Sequence, residues 1–218
     1  MRCPGDYYPQ WRRARLHAIL DRYTPEFFRG KSLLEVGCGD GSIGNFFYYL
    51  GAEVTCADAR GDYLKEIQWR NREINVVECD LNKHWPDPDT VYDIVLHMGV
   101  LFHLEQPEFS VVQACEHARH LILDCEVTND QDMSVRLMPE NPPTKYYENE
   151  GDDHAFESQG CRPTPMFIES VFKSCGMAYE MLNTDSYDYH DYPPKLGWSG
   201  ETKGYTNGQR RMWFVRKS

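Results

Sequence analysis

The chain has 218 residues, of which 41% are hydrophobic and 26% charged, which is enough for one domain with a full hydrophobic core. Its formal net charge of −11 disfavours broad, unspecific binding to nucleic acid or to an anionic membrane. No apolar run approaches the length of a membrane span, and the N-terminus has no signal-peptide core, so we expect a cytoplasmic protein.

Apolar runs alternate with amphipathic helical patterns through the first 127 residues. An amphipathic helix is predicted at 11–23, inside an N-terminal helical segment that covers residues 1–29. The strands predicted after it are 33–36, 53–58, 74–80, 92–97 and 120–127. The helices predicted between them are 43–50, 62–71 and 108–117. Strands alternating with helices indicate a parallel, doubly wound α/β sheet.

The alternation stops after Val127. Residues 128–163 and 183–208 are rich in acids, prolines and tyrosines, and they are interpreted as two long loops of the kind that form lids or binding sites. A helix is predicted between them at 165–175, and short apolar runs at 177–182 and 212–216 predict a closing antiparallel pair. The expected fold is a single domain over residues 1–218. It contains a Rossmann-like sheet of about seven strands, mostly parallel, with a C-terminal antiparallel strand.

The glycine-rich stretch at 32–44 fits two cofactor-binding patterns. The dinucleotide pattern Gly-x-Gly-x-x-Gly begins at Gly39, and Asp58 lies near the distance expected for a ribose-binding carboxylate. The pattern acid-x-Gly-x-Gly-x-Gly begins at Glu35. Glu35 and Asp40 would repel a pyrophosphate, whereas they suit a cationic ligand without phosphate. The second pattern is therefore favoured.

This second pattern resembles that of the class I S-adenosylmethionine (SAM)-dependent methyltransferases, of a small phage or bacterial type, over about residues 30–127 and the terminal strand pair. The resemblance implies that Glu35 binds the cofactor's ammonium group, Asp58 its ribose hydroxyls and Asp80 its adenine amino group. Asp58 and Asp80 could instead be solvated turn residues. The full set of implied SAM-binding residues is Glu35, Gly37, Cys38, Gly39, Gly41, Asp58, Ala59, Asp80, Leu81, His97 and Met98.

The two long loops, 128–163 and 183–208, are predicted to form the acceptor site together with the turn after the fourth predicted strand. Histidine is a residue type suited to a catalytic base, so His103 is a candidate, with His97 as a more buried second one; packing against the next helix is the alternative for His103. Arg162 could bind an acceptor carboxylate or phosphate, or equally pair with an acid of its own loop. Tyr146 and Tyr147 could wall an aromatic acceptor pocket or pack the loop down.

No metal ion is expected, because no Asp-Asp-Asn arrangement of the metal-dependent catechol type is evident. The eight cysteines are scattered and form no Cys-x-x-Cys pair, so we expect reduced thiols rather than disulfides or a zinc site.

The sequence thus predicts a SAM-dependent methyltransferase that acts on oxygen or another heteroatom of a small-molecule acceptor. Three alternatives stay open. The phrase at 98–103 resembles relatives that methylate or carboxymethylate the wobble uridine of tRNA, although the acidic charge argues against nucleic acid. The other two are an NAD(P)-dependent Rossmann oxidoreductase and a non-catalytic SAM-binding interaction protein.

Overall fold

The computed structural model describes residues 7–139, 159–182 and 210–218 of the chain. The helices in these ranges are α1 (Tyr7–Arg22), α2 (Ser42–Tyr49), α3 (Gly61–Arg70), α4 (Pro107–Glu116) and α5 (Pro165–Ser174), with short 3₁₀ turns at Pro25–Phe28 and Leu101–His103. The strands are β1 (Ser32–Val36), β2 (Glu53–Asp58), β3 (Asn75–Glu78), β4 (Tyr92–Met98), β5 (Ala118–Glu126), β6 (Val135–Pro139), β7 (Gln159–Pro163), β8 (Met177–Met181) and β9 (Arg210–Lys217).

Seven of the strands form one mixed sheet in the order β3-β2-β1-β4-β5-β9-β8. Strands β1 to β5 pair in parallel, and the order reverses beside β1, where β4 lies on the side opposite β2. Open α/β sheets bind ligands at the carboxyl ends of the strands at such a reversal. A ligand site is therefore expected at the carboxyl ends of β1 and β4.

The C-terminal strands close the sheet as the apolar runs predicted. β9 runs antiparallel to β5, and β8 runs antiparallel to β9 at the edge of the sheet. The predicted fold class is confirmed, including the number of strands in the main sheet.

Alternate residues of the central strands face two separate hydrophobic layers, as the two-residue period of a strand requires. Leu33 and Ile94 pack with α1, α2 and α3 on one face of the sheet. Leu34 and Val95 pack with α4 and α5 on the other face. Because both faces of the sheet are packed against helices, the carboxyl ends of its strands are held in place and can position the side chains of a site.

The prediction of one long irregular loop over 128–163 is wrong for its described parts. β6 and β7 pair as an antiparallel ribbon, with Arg136 opposite Arg162. The Thr164 hydroxyl donates to the Asp132 carbonyl at 2.6 Å, and it also accepts from the Phe167 N–H as the N-cap of α5. The ribbon is thereby attached to the start of that helix.

Several predicted features lie outside the described residues, namely Tyr146, Tyr147 and the loop at 183–208. Seven cysteines lie within the described ranges, and all of them are free thiols, as expected. Within the same ranges, no helix is long and apolar enough to cross a membrane.

Candidate cofactor and acceptor site

The glycine loop after β1 leaves room for a ligand above Gly39. Gly37 and Gly39 have positive φ angles of 64° and 53°, which glycine adopts without strain. A Cβ on Gly37 would lie 2.4 Å from the Val100 Cβ, so the loop packs closely against the turn after β4. In contrast, no heavy atom of the described residues lies within 4 Å of a Cβ placed on Gly39. The loop is thus packed against the turn after β4 at Gly37, whereas no described residue covers it at Gly39.

Asp58, at the end of β2, anchors this loop. Its Oδ2 accepts a hydrogen bond from the Gly39 N–H at 2.8 Å, and its Oδ1 accepts from the Arg60 N–H at 3.0 Å. A carboxylate has about four acceptor positions, so these two contacts leave capacity for ligand hydroxyls. Asp58 therefore fits the predicted ribose-binding role while it also fixes the loop, and the ribose contact stays a prediction.

Glu35, at the carboxyl half of β1, is buried beneath the helix that follows the loop. Its Oε2 accepts from the Gly44 N–H at 2.8 Å and lies 3.8 Å from the Cys56 Sγ. Gly44 is in the first turn of α2, where backbone N–H groups lack partners within the helix. Glu35 thus satisfies the start of α2, a role that the sequence prediction did not include. Its predicted contact with the cofactor's ammonium group stays a prediction.

Asp80 and Leu81 follow β3 at the same edge of the sheet. The Asp80 carboxylate accepts from the Asn82 N–H at 3.0 Å and forms an ion pair with the exposed Lys83 at 2.8 Å. Leu81 is buried in the layer that contains α4. The turn is therefore stabilised locally, and the predicted contact of Asp80 with adenine stays a prediction.

His97 lies inside the core rather than at the surface of the site. Its side chain has no exposed area, and its Nε2 is 2.8 Å from the Ser110 Oγ of α4. Burial lowers the pKa of His97 from 6.5 to about 4, so the imidazole is neutral at physiological pH. The His97 side chain is therefore part of the core in this structure, and its predicted roles as a base and in cofactor binding stay predictions. Met98 is also buried, on the opposite face.

A cluster of charged side chains lies at the carboxyl end of β5, beside β4. Asp124 is fully buried, and its Oδ1 accepts from the Arg15 Nη2 at 2.8 Å and from the Arg210 Nε at 2.9 Å. Burial lowers the pKa of Arg210, and the neighbouring Asp124 opposes this effect. Because an arginine keeps its proton in proteins, Asp124 holds two cations at this edge.

Glu126 extends the cluster toward solvent. Its Oε1 lies 3.2 Å from the Arg210 Nη1, and its Oε2 lies 2.8 Å from the Arg162 Nη2. The guanidinium groups of Arg162 and Arg210 both make cation–π contacts with the Phe102 ring. Their central carbons lie 4.9 Å (Arg162) and 5.0 Å (Arg210) from the ring centroid. We call Arg15, Asp124, Glu126, Arg162 and Arg210 the arginine cluster.

Gly99 connects the arginine cluster to the turn after β4. Its N–H donates to the Asp124 carbonyl at 2.9 Å. A Cβ on Gly99 would lie 2.9 Å from the Arg15 Nη2 and 3.1 Å from the Arg210 Nη2, so only glycine lets the guanidinium groups approach the backbone. His103, in the same turn, is partly exposed and lies against the Phe102 ring. Its role as a base stays a prediction.

Sequence reasoning identified Arg162 but missed Arg15, Asp124 and Arg210. One signal was available, because Asp124 follows an apolar run of the fifth strand, and a carboxylate buried there needs a cationic partner. The partners themselves are remote, at separations of 109 and 86 residues. No local pattern indicates them.

The loop geometry agrees with what comparison with known protein families finds. A family model described as a methyltransferase domain matches residues 33–121, from β1 into β5. The chain carries a class I SAM-dependent methyltransferase domain. This match decides between the two glycine patterns in favour of SAM, so the predicted family and the predicted cofactor are confirmed.

Curated relatives of this methyltransferase domain include ubiquinone biosynthesis O-methyltransferases. The protein of Pectobacterium carotovorum is 34% identical over 115 residues, which are 51% of this chain and 48% of that protein. The protein of Cronobacter sakazakii is 34% identical over 105 residues, which are 46% of this chain and 42% of that protein. The chain therefore spans about half the length of the curated relatives that it matches.

Solved methyltransferase structures share the fold over almost the whole chain. The N-terminal domain of EvdMO1, crystallised with S-adenosylhomocysteine (SAH) and D-fucose, has a TM-score of 0.66 at 14% identity, covering 94% of this chain and 81% of that one. Magnesium protoporphyrin IX methyltransferase from Synechocystis, with bound SAM, has a TM-score of 0.56 at 16% identity, covering 98% and 80%. At these identities the likeness establishes the fold alone.

Proposed function

We propose that the protein transfers the methyl group of SAM to an oxygen or another heteroatom of a small-molecule acceptor, with residues 1–218 acting as one domain. The observation that carries this proposal is the glycine loop, which Asp58 anchors at Gly39 while no described residue covers the space above Gly39. That arrangement fits a ligand lying directly on the backbone at the reversal of strand order.

The cofactor site is proposed to comprise the ends of β1, β2 and β3. Asp58 binds the ribose hydroxyls with its remaining acceptor positions, Asp80 accepts from the adenine amino group, and Glu35 contributes negative charge near the ammonium group. Cys38, Gly41 and Ala59 contribute backbone surface beside these groups. When bound, SAM supplies an electrophilic methyl group on a positively charged sulfur.

The acceptor site is proposed to lie beyond β4 and β5, next to Gly99. Methyl transfer is an in-line displacement, so the main task of the protein is to align the acceptor heteroatom. His103 is partly exposed in the turn after β4 and accepts the proton when the nucleophile is a hydroxyl group. Arg162 orients the acceptor from the β6–β7 ribbon.

Oxygen is the preferred acceptor atom because the relatives named above are O-methyltransferases by name. Their similarity to this chain covers β1 to β5, which contains the cofactor loop. Residues beyond β5 supply much of the proposed acceptor site, and the family match ends before them. The acceptor itself is therefore not inferred from the relatives.

Two measurements on the full chain test the proposal. Isothermal titration should show that SAH binds and that NAD(H) does not. The protein should then convert SAM to SAH in the presence of a metabolite extract, and mass spectrometry should find one acceptor whose mass rises by that of a methylene group. Absence of SAH binding would refute the proposed cofactor site.

The same assay separates the remaining alternatives. Methylation of unmodified tRNA, with no product in the small-molecule extract, would favour the tRNA alternative. SAH binding without turnover on either acceptor source would favour a non-catalytic SAM-binding protein. Either outcome would contradict the proposed function.

A further inference from the structure

We propose that the acceptor carries a carboxylate group, which binds between Arg162 and Arg210 in the position that Glu126 occupies in this structure. This inference rests on the proposed function, because it concerns the acceptor of the same site. The carboxylate would contact Arg162 and Arg210 and replace Glu126, and only Arg162 is a site residue that the sequence predicted.

The two guanidinium groups are already arranged around one carboxylate. Each oxygen of Glu126 contacts a different arginine, at 2.8 Å for Arg162 and 3.2 Å for Arg210. Charge-assisted hydrogen bonds from guanidinium groups are the preferred way in which proteins bind carboxylates. The spacing of the arginines therefore suits any carboxylate that reaches this position.

The cluster contains one fixed and one exchangeable carboxylate. Asp124 is fully buried and holds Arg15 and Arg210 against the end of β5. The Glu126 side chain is 37% exposed, at the last residue of the strand, so it can turn toward water without opening the core. Replacing Glu126 with an incoming carboxylate exchanges one anion for another and keeps the guanidinium groups compensated.

The guanidinium groups are also held in place independently of Glu126. The Arg162 Nη1 donates to the Cys161 carbonyl at 2.9 Å, and the Phe102 ring lies beside both arginines. Phe102 is itself buried. A site whose donors stay in position when one anion leaves is preorganised for another, which lowers the entropic cost of binding.

The position of the cluster relative to the glycine loop sets the size of the acceptor. β1, β4 and β5 are neighbours in the sheet, and adjacent strands lie about 4.8 Å apart. The ends of β1 and β5 are therefore separated by roughly two such spacings, or about 10 Å. A small acceptor anchored by its carboxylate at the arginine cluster can extend along the Gly99 turn to the cofactor.

The test measures binding of acids and their amides to SAH-saturated protein. The probes are benzoate, 4-hydroxybenzoate, phenylacetate and hexanoate, each beside its primary carboxamide, with dissociation constants measured by ligand-observed NMR. We expect at least one acid to bind ten or more times as tightly as its amide. If no acid is preferred over its amide, the inference is overturned.

Three variants assign the preference to the cluster. Arg162→Gln should weaken binding of the preferred acid at least tenfold, whereas Glu126→Gln should strengthen it, because a competing carboxylate is removed. Arg136→Gln is the matched control and should leave the affinity unchanged. Arg136 lies opposite Arg162 in the ribbon, but its side chain is 62% exposed and pairs with Asp130. Unchanged affinity in Arg162→Gln, or weaker binding in Glu126→Gln, would contradict the displacement of Glu126.

Failure of this inference is distinguishable from failure of the proposed function. If SAH binds and only neutral acceptors are methylated, the function stands and the carboxylate inference is wrong. If SAH does not bind, the proposed function itself fails.

Discussion

The carboxylate of Glu35 accepts a hydrogen bond from the Gly44 N–H at 2.8 Å, so the acid that precedes the glycine loop holds the start of the helix that follows it. The two residues enclose the loop from both ends. A side chain on Gly44 would meet the Glu35 Oε2 at 2.8 Å, which explains why a glycine stands there. The loop's shape therefore depends on a buried charge beneath it.

Replacing Glu35 separates its support of the loop from its predicted contact with the cofactor. Glu35→Ala leaves the Gly44 N–H without its acceptor and should lower the free energy of unfolding by about 1–3 kcal/mol. Glu35→Gln keeps an acceptor oxygen and should retain most of that stability. If the carboxylate also binds the ammonium group, Glu35→Gln should still lower SAH affinity by about tenfold. Urea unfolding and calorimetry measure the two effects, and wild-type affinity in Glu35→Gln would disprove the ammonium contact.

A methyl group on Gly39 should block the cofactor. Gly39→Ala places a Cβ in the open space above the loop, so we expect SAH affinity to fall at least about tenfold, together with a cost of about 1–2 kcal/mol for the positive φ. Gly30→Ala is the matched control, because Gly30 also has a positive φ, of 69°, and open surroundings among the described residues. Calorimetry should show that Gly30→Ala binds SAH as the wild type does. Equal loss of affinity in both variants would mean that strain, rather than contact, is responsible.

Among the charged residues that the structure describes, Asp124 should be the one whose replacement lowers the free energy of unfolding most. Asp124→Asn removes the buried carboxylate that compensates Arg15 and Arg210, and breaking a buried ion pair costs about 3–5 kcal/mol. Asp130→Asn breaks the exposed pair with Arg136 and should change the free energy of unfolding by less than about 1 kcal/mol. Urea denaturation of both variants measures the difference. Similar values for the two would contradict the structural importance of the buried cluster.

His97 should make the protein sensitive to mild acid. Its pKa is about 4 in the folded state and 6.5 in its ordinary state, so between these values the unfolded chain binds more protons. Stability due to neutral His97 is therefore complete above pH 6.5 and is lost as pH falls toward 4, by about 3 kcal/mol in total. Urea unfolding of the wild type and of His97→Gln should be measured between pH 4 and 7.5. The difference between their free energies of unfolding should become smaller as the pH falls. A constant difference would refute the shifted pKa.

Local patterns in the sequence predicted the strands and helices of the main sheet well. Strands such as β1 and β4 are runs of apolar residues, and their ends fall where glycine or acid interrupts the run. The glycine pattern at Glu35 also indicated the cofactor, since it requires only residues adjacent in the chain. The β6–β7 ribbon was missed because β6 is largely exposed and therefore lacks an apolar pattern.

The tertiary structure alone decided which side chains meet at the acceptor side. Arg15, Arg162 and Arg210 come from α1, β7 and β9, and they converge because these elements pack around the end of β5. It also showed that the His97 side chain lies in the core against Ser110 of α4, which the sequence could not indicate because the two residues belong to different elements. The sequence by itself thus determined the cofactor, because the glycine pattern consists of residues that are close together in the chain. The acceptor site depends on pairings between remote residues, which only the packed sheet brings together.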